Sequence, residues 1–265
     1  MDSLVALVTG ASSGIGLSVA EQWVARGGRV ALVARRKEEL DKVVSRLGVD
    51  RAAAFPLDVS DLAKLASLPS LVKAHFGRLD LVVNNAGLNH RGPVTHWQPL
   101  QLADIITVNL TAPVVLTRAA IDHLDVGGAI VNVASLAGMV PLPDEAAYCG
   151  SKAGLRAFTR AVRLEHPELK ICLVSPGPTD TTFFGDIKEV PDLVFSQPMH
   201  SAAQVAAAVI RCYDEGPEEI ALPAFSRHLT SLGYLSSGLA SSLRPFLAKL
   251  GARNKARYMK SKGLV

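Results

Sequence analysis

The chain has 265 residues, of which 49% are apolar and 20% are charged, as in an ordinary protein of one or two globular domains. This apolar content excludes a disordered chain, because its burial can offset the conformational entropy lost on folding. Three scattered cysteines and seven scattered histidines show no disulfide or metal-ligand spacing, so we expect no metal site and a reducing, cytoplasmic location. We also expect neither a signal peptide nor a membrane span, because no basic n-region and no uninterrupted apolar stretch of about 20 residues occurs.

The formal net charge of +4 is unevenly distributed along the chain. Residues 224–265 hold eight Lys or Arg and no Asp or Glu, which leaves 20 basic and 24 acidic residues in the first 223. This asymmetry predicts a main domain over residues 1–223 and a basic C-terminal extension over residues 224–265. Apolar residues at helical spacing, interrupted by Pro245, predict that the extension is amphipathic and helical.

Short apolar runs alternate with longer amphipathic segments in the main domain. The predicted strands are residues 4–9, 29–34, 52–57, 79–84, 129–135, 170–175 and 219–222. The predicted helices are residues 15–26, 37–47, 61–76, 100–124, 146–166 and 202–215, with a kink expected at Pro113. Strands that are apolar throughout predict a seven-stranded parallel sheet covered on both faces, a doubly wound Rossmann-type α/β fold. Ligands of such sheets bind at the carboxyl ends of the strands, so functional residues should follow them.

A glycine-rich segment, residues 9–16, follows the first strand. Gly10 permits a sharp turn, Gly14 lets backbone approach a ligand, and Gly16 lets the next helix pack closely. Free N–H groups at the start of that helix favour a pyrophosphate. A glycine-rich turn without a ligand is the alternative.

Arg35 and Arg36 follow the second strand, where a site that prefers NAD would place a carboxylate for the ribose hydroxyls. Guanidinium groups instead hold a 2′-phosphate through paired hydrogen bonds, so NADP(H) is the expected cofactor. The alternative is a solvated basic start of a helix. Basic residues there oppose the helix dipole, however, which an anion nearby would explain.

The ends of the third, fourth and sixth strands carry further candidates. Asp58, followed by Val59, could accept a hydrogen bond from an adenine or cap the next helix, and the sequence leaves both open. Residues 84–87, Asn-Asn-Ala-Gly, leave room for a flat ring and a ribose, or form a simple turn. Residues 176–181, Pro-Gly-Pro-Thr-Asp-Thr, form a loop that could hold a carboxamide or be purely structural.

Three residues at and after the fifth strand could carry acid–base chemistry. Tyr148 and Lys152 lie one turn apart on the same predicted helix face. A phenol has a pKa of about 10, and a nearby ammonium lowers that value, so the pair could act as a general acid or base. Ser135 could hold a substrate oxygen by hydrogen bond. An isolated Tyr-x-x-x-Lys is commonplace, and this one gains significance from its order behind the glycine turn.

Together these motifs resemble the short-chain dehydrogenase/reductase family, in its shorter single-domain branch, over residues 4–223. The resemblance implies that Tyr148 exchanges the proton at the substrate oxygen, Lys152 lowers its pKa and binds the nicotinamide ribose, and Ser135 orients the carbonyl. It also implies that Asn109 holds a water linking Lys152 to solvent, and that nicotinamide delivers hydride without a metal. The residues expected to contact the cofactor are Gly10, Ser12, Ser13, Gly14, Ile15, Gly16, Arg35, Arg36, Asp58, Val59, Asn85, Ala86, Gly87, Tyr148, Lys152, Pro176, Gly177, Thr179 and Thr181.

Two positions depart from the family pattern. Thr179 stands where the family often has Val or Ile, in a contact made largely through backbone. Ser13 stands where many NADP users have a basic residue, so a 2′-phosphate would depend mainly on Arg35 and Arg36.

Substrate choice should rest on residues 89–99, 136–147 and 182–201, whose side chains are mostly apolar apart from Arg91. They favour a hydrophobic carbonyl or alcohol, although the same residues could instead pack a lid against the core. The apolar residues concerned are Leu88, Trp97, Met139, Val140, Leu142, Phe183, Phe184, Ile187, Val190, Leu193, Val194, Phe195 and Met199.

The sequence therefore predicts an NADP(H)-dependent oxidoreductase that interconverts a hydrophobic ketone or aldehyde and an alcohol. A 3-oxoacyl-thioester reductase and a non-catalytic NADP(H)-binding regulatory protein are the alternatives. The family implies a homodimer or homotetramer, paired through residues 100–124 and 146–166. The basic extension could lie on an anionic membrane, meet an acidic carrier protein or acyl-CoA, or pack on its own domain or on a partner subunit. Nucleic acid is not an expected partner, because no nucleic-acid-reading motif accompanies the basic residues.

Overall fold

The sheet of this protein has seven parallel strands, and a computed structural model describes it within residues 3–226 and 237–264. The strands are β1 Val5–Thr9, β2 Arg29–Ala34, β3 Ala52–Pro56, β4 Leu81–Asn84, β5 Ala129–Val133, β6 Lys170–Pro176, β7 Thr179–Asp180, β8 His200–Ser201 and β9 Glu219–Leu222. The large sheet has the order β3-β2-β1-β4-β5-β6-β9, whereas β7 and β8 form a separate short pair. The Rossmann-type fold is confirmed, and the β7–β8 pair was not predicted.

Helices cover both faces of the sheet. They are α1 Gly14–Ala25, α2 Lys37–Leu47, α3 Leu62–Phe76, α4 Pro99–Ile106, α5 Ala112–Ile121, α6 Ala146–Glu165, α7 Ala202–Glu215 and α8 Ser237–Ser261. Apolar residues of α1, α2 and α7 pack on one face of the sheet, and those of α3 and α5 pack on the other. Every residue of β1 and of β5 is buried, which explains why these strands are almost entirely apolar. The exception inside β5, Asn132, is hydrogen-bonded to Asn84 and Thr159.

The direction of winding reverses between β1 and β4, which are neighbours in the sheet. After β1 the chain adds strands outward through β2 and β3, and after β4 it adds them on the opposite side. The loops that follow β1 and β4 therefore diverge and leave a crevice at the carboxyl edge of the sheet. This crevice positions the candidate site.

The long helix predicted at residues 100–124 is interrupted before Pro113 rather than kinked at it. A π-helical turn, Thr107–Thr111, joins α4 to α5, and Pro113 lies in the first turn of α5. Proline has no N–H and cannot donate to the carbonyl of Asn109, four residues earlier, so the regular hydrogen-bond ladder breaks there. The same 23-residue stretch, Pro99–Ile121, is long and apolar enough to cross a membrane, contrary to our expectation. Here α4 packs on α6, and α5 packs on α3.

The C-terminal extension includes a helix, α8, as predicted. It packs against a 3₁₀ turn, Asp192–Ser196, and the Asn254 side chain donates to the Phe195 carbonyl at 3.0 Å. Of the alternatives raised by the sequence, packing on its own domain is therefore realised. The part of the predicted apolar pattern at residues 227–236 lies outside the described residues, and the division at residue 223 stays a prediction.

Candidate active site

A cavity of about 1050 Å³ lies at the carboxyl ends of the strands. Its wall includes most of the residues singled out in the sequence: Gly10, Ser12, Ser13, Gly14, Ile15, Arg35, Arg36, Asp58, Val59, Asn85, Ala86, Gly87, Ser135, Tyr148, Lys152, Pro176, Gly177, Thr179 and Thr181. Gly16 and Asn109 instead lie behind the wall, where they hold neighbouring elements together. The volume exceeds that of an ordinary single-ligand pocket, so a cofactor and a substrate could share it.

The glycines of the β1–α1 loop are required by its backbone conformation and by its packing. Gly10 and Gly14 have φ of +67° and +55°, in the region that glycine adopts without steric cost. A Cβ on Gly16 would collide with the Gly10 carbonyl. Gly16 thus lets α1 pack directly against the turn that precedes it, whereas we predicted that it lets the helix pack closely on the sheet.

Thr9, the last residue of β1, connects this loop to the end of β4. Its hydroxyl accepts hydrogen bonds from the backbone N–H of Asn85 at 2.9 Å and of Ala86 at 3.0 Å. The Asn85 side chain donates to the Thr9 carbonyl at 2.9 Å. Thr9 thereby fixes the two loops on either side of the crevice. In the sequence Thr9 was only the first residue of the glycine-rich segment, and its role in bridging the two loops was not predicted.

The opposite end of the cavity is electropositive. Arg35 and Arg36 are exposed at the cavity wall and form no ion pair among the described residues, whereas Lys37 pairs with Asp41 at 2.7 Å. Asp58 accepts hydrogen bonds from the N–H and hydroxyl of Ser60, and these bonds, together with the charge of Arg35, lower its pKa. The α3 cap is Asp61, not Asp58. Asp58 therefore remains an ionised acceptor at the cavity.

The Ser135, Tyr148 and Lys152 side chains converge at the end of β5. The Lys152 Nζ donates to the Val133 carbonyl at 2.8 Å and lies 5.8 Å from the centre of the Tyr148 ring. The Ser135 hydroxyl accepts from the Ala137 N–H at 3.1 Å, which orients it at the start of a short turn. A Cβ on Gly138 would lie 2.7 Å from the Lys152 carbonyl carbon, so only glycine lets this turn approach α6. Gly138 was not singled out in the sequence.

The pKa of Tyr148 is raised, whereas we predicted that Lys152 would lower it. Burial is the main cause, the Glu145 carboxylate adds to the rise, and hydrogen bonding with Ser135 opposes it. Burial also lowers the pKa of Lys152 to about 8. Desolvation and the charge of Glu145 thus outweigh the Ser135 hydrogen bond and the charge of Arg91, so the Tyr148 phenol stays protonated at neutral pH.

Asn109 connects the π-helical turn to the candidate catalytic helix. Its side chain accepts from the Leu88 N–H at 2.8 Å and donates to the Leu88 carbonyl at 2.7 Å and to the Ser151 hydroxyl at 3.1 Å. Both amide hydrogens of the side chain are thus used in holding the loop after β4 against α6. That Asn109 holds a water stays a prediction, and its backbone carbonyl receives no hydrogen bond from Pro113, which has no N–H.

The outer part of the cavity is mostly apolar. Its polar lining residues include Asn89, Thr182, Ser196 and Gln197 and the buried ion pair of Arg91 with Glu145. Of the apolar residues predicted for substrate choice, those that line it are Leu88, Val140, Leu142, Phe183, Phe184, Leu193 and Val194. Val190 and Phe195 instead pack in a small apolar cluster with Tyr258 of α8. Some of these residues therefore line the cavity and others pack in the interior, and the hydrophobic substrate class stays a prediction.

The family model described as short chain dehydrogenase matches residues 4–191 of this sequence. The chain belongs to the short-chain dehydrogenase family. In solved structures, this short-chain dehydrogenase is similar to one from Streptomyces avermitilis, with a TM-score of 0.77 and 31% identity over 91% of this chain and 94% of that one. A Burkholderia cenocepacia short chain dehydrogenase in complex with NADP matches with a TM-score of 0.74 and 30% identity over 82% and 94% of the two chains.

Curated relatives of this short-chain dehydrogenase differ in what they are named for. D-threitol dehydrogenase of Mycolicibacterium smegmatis is 36% identical over 62% of this chain and 65% of that protein, just under two thirds of its length. The 11-beta-hydroxysteroid dehydrogenase-like 3 protein of Arabidopsis thaliana is 34% identical over 85% of this chain and 75% of its own length. The chain is accordingly an oxidoreductase of the short-chain dehydrogenase family.

Proposed function

We propose that this short-chain dehydrogenase uses NADP(H) to interconvert a hydrophobic ketone or aldehyde and the corresponding alcohol. The observation that carries the proposal is one cavity with Ser135, Tyr148 and Lys152 at one end and the unpaired Arg35 and Arg36 at the other. Neither guanidinium forms an ion pair within the described part of the chain, so both could hold a 2′-phosphate, and the first three residues after β2 include no carboxylate to repel it. NADP in the Burkholderia cenocepacia neighbour supports the same choice.

The residues of this chain would divide the chemistry as follows. When bound, the cofactor supplies or accepts the hydride. Tyr148, whose raised pKa keeps it protonated, donates its phenolic proton to the carbonyl oxygen during reduction, and the Ser135 hydroxyl orients that oxygen. Lys152, held by the Val133 carbonyl, lies beside the phenol and is poised to replace the proton.

A hydrophobic substrate fits the outer cavity, which Phe183, Phe184 and Val194 line together with other apolar side chains. A polyol such as that named for the Mycolicibacterium smegmatis relative would leave its hydroxyls without partners along most of this wall. The name of the Arabidopsis thaliana relative, by contrast, points to bulky apolar substrates. We propose bulky ketones first and 3-oxoacyl thioesters second.

NADPH consumption, followed by nicotinamide absorbance, across bulky ketones and 3-oxoacyl thioesters tests this proposal. Turnover with the ketones supports it, and preference for the thioesters would favour the second class. Tight NADPH binding without turnover on either panel would instead favour a non-catalytic protein that responds to the cofactor.

We also propose a homodimer or homotetramer in the cytoplasm. Several apolar side chains of α4 and α5 are only half-buried in the single chain, among them Leu102, Ile106, Val114 and Val115. Burying this face against the same face of a second chain would remove it from water.

A further inference from the structure

One face of α8 is both basic and apolar, and it points away from the protein. Positions spaced three and four residues apart in a helix share one face, and Phe246 and Leu250 on this one are 68% and 37% exposed. The residues of this outer face are Phe246, Lys249, Leu250, Arg253, Arg257 and Lys260, all of them exposed.

The inner face of α8 is tightly held by the protein. Lys255 donates to the carbonyls of Lys188 and Val190 at 3.1 and 2.7 Å and pairs with Asp192 at 3.1 Å. Tyr258 donates to the Asp180 carboxylate at 2.7 Å. These contacts fix the rotation of α8 and therefore hold its outer face in one orientation.

The basic residues of the two faces differ in their partners. On the inner side Lys255 and Lys262 are paired with Asp192 and Asp180. On the outer face, the four cations Lys249, Arg253, Arg257 and Lys260 form no ion pair within the described residues. Residues 224–265 contain no Asp or Glu, so this charge is not neutralised within the extension. The outer face therefore complements an anionic surface.

The same helix borders the cavity. Leu247, which follows Phe246 of the outer face, lines the cavity, as do Leu193 and Val194 of the turn on which α8 packs. Phe183, also in the wall, is 42% exposed. The apolar end of the cavity thus borders α8 close to its outer face.

We propose that the outer face of α8 docks this protein on an anionic lipid bilayer, with Phe246 and Leu250 inserted among the headgroups. Each Lys or Arg at such a surface strengthens binding by roughly fivefold, and two apolar side chains add burial. An acidic protein would also fit the charges, but the exposed apolar side chains among the cations, next to the apolar end of the cavity, favour a bilayer. Docking of this kind would also let a hydrophobic substrate enter the cavity from the bilayer. That consequence rests on the proposed function, whereas the docking itself does not.

Flotation of the full-length protein with vesicles tests the docking without any activity measurement. The native protein should float with phosphatidylcholine vesicles containing about one third phosphatidylglycerol, should stay behind with pure phosphatidylcholine, and should be released by salt. Arg253→Gln with Arg257→Gln should weaken binding roughly 25-fold, and Phe246→Ser should weaken it at constant charge. Lys42→Gln with Lys64→Gln, which remove the same charge from α2 and α3, should bind like the native protein.

Each outcome decides the proposal. Binding that needs phosphatidylglycerol and is lost only in the α8 variants supports it. Equal binding by the α8 and control variants, or no binding of the native protein at low salt, overturns it and leaves an acidic protein as the partner that fits these charges.

Discussion

Arg91 and Glu145 form a buried ion pair in the wall of the cavity, with the Arg91 Nε 3.0 Å from a Glu145 carboxylate oxygen. Arg91 also donates to the Phe184 carbonyl at 2.7 Å, and its guanidinium lies 5.9 Å from the Phe183 ring. Glu145 directly precedes α6, three residues before Tyr148. Arg91, in the loop after β4, thus connects the segment around Phe183 and Phe184 to α6, the helix that carries Tyr148.

Removing Arg91 should destabilise the fold. The side chains of Arg91 and Glu145 are only 11% and 5% exposed. Arg91→Met would therefore leave the Glu145 carboxylate buried without its ion-pair partner. We expect the free energy of unfolding to fall by about 3 kcal/mol. The double variant Arg91→Met with Glu145→Met should lose less than the two single variants added together. Urea unfolding of all four proteins measures this, and strictly additive losses would show that the pair is not coupled.

Neutralising Glu145 should shift the pH dependence of alcohol oxidation. The Glu145 carboxylate raises the pKa of Tyr148, so Glu145→Gln lowers that pKa. Oxidation needs the deprotonated phenol, and the acidic limb of its kcat/KM profile should therefore move to lower pH. Glu165→Gln, at the exposed end of the same helix, should leave the profile in place. A shift to higher pH in Glu145→Gln would contradict the assignment.

Arg35 should determine the choice between the two nicotinamide cofactors. Arg35→Asp replaces a 2′-phosphate partner by a repelling carboxylate, so the ratio of kcat/KM for NADPH to that for NADH should fall at least about tenfold. Arg46→Asp, on α2 and paired with Glu21 outside the cavity, makes the same charge change and is the matched control. An unchanged ratio in Arg35→Asp would show that Arg36 or another group holds the 2′-phosphate.

The half-buried apolar face of α5 should pair with a second chain. Val115→Glu places a charge in that face and should convert the protein to a monomer at micromolar concentration, measured by light scattering. Val49→Glu, at a site already 78% exposed, should leave the native assembly intact. A native protein that is itself monomeric at this concentration would refute the pairing.

The main elements could be predicted closely because their signals are local. The bounds predicted for β2, α2, α7 and β9 agree with the structure, since each begins or ends at a change in apolar periodicity or at a helix-stop residue. The residues of the cavity could also be anticipated, because the carboxyl ends of neighbouring parallel strands meet at one edge.

What could not be predicted depends on contacts between distant segments. The Arg91–Glu145 pair joins residues 54 positions apart, and nothing local to either residue indicates the other. The raised pKa of Tyr148 likewise follows from burial by several elements, whereas the sequence showed only the lysine one turn away. The requirement for glycine at position 138 arises from its close contact with the backbone of Lys152, which belongs to another element.

Tyr148→Phe tests the central claim most directly. This variant removes only the phenolic oxygen, so kcat for ketone reduction should fall at least about 10²-fold, while NADPH still binds with native affinity by fluorescence titration. Tyr213→Phe makes the same change at a tyrosine outside the cavity and should keep native kcat. Native kcat in Tyr148→Phe would contradict the assignment of Tyr148 as the proton donor.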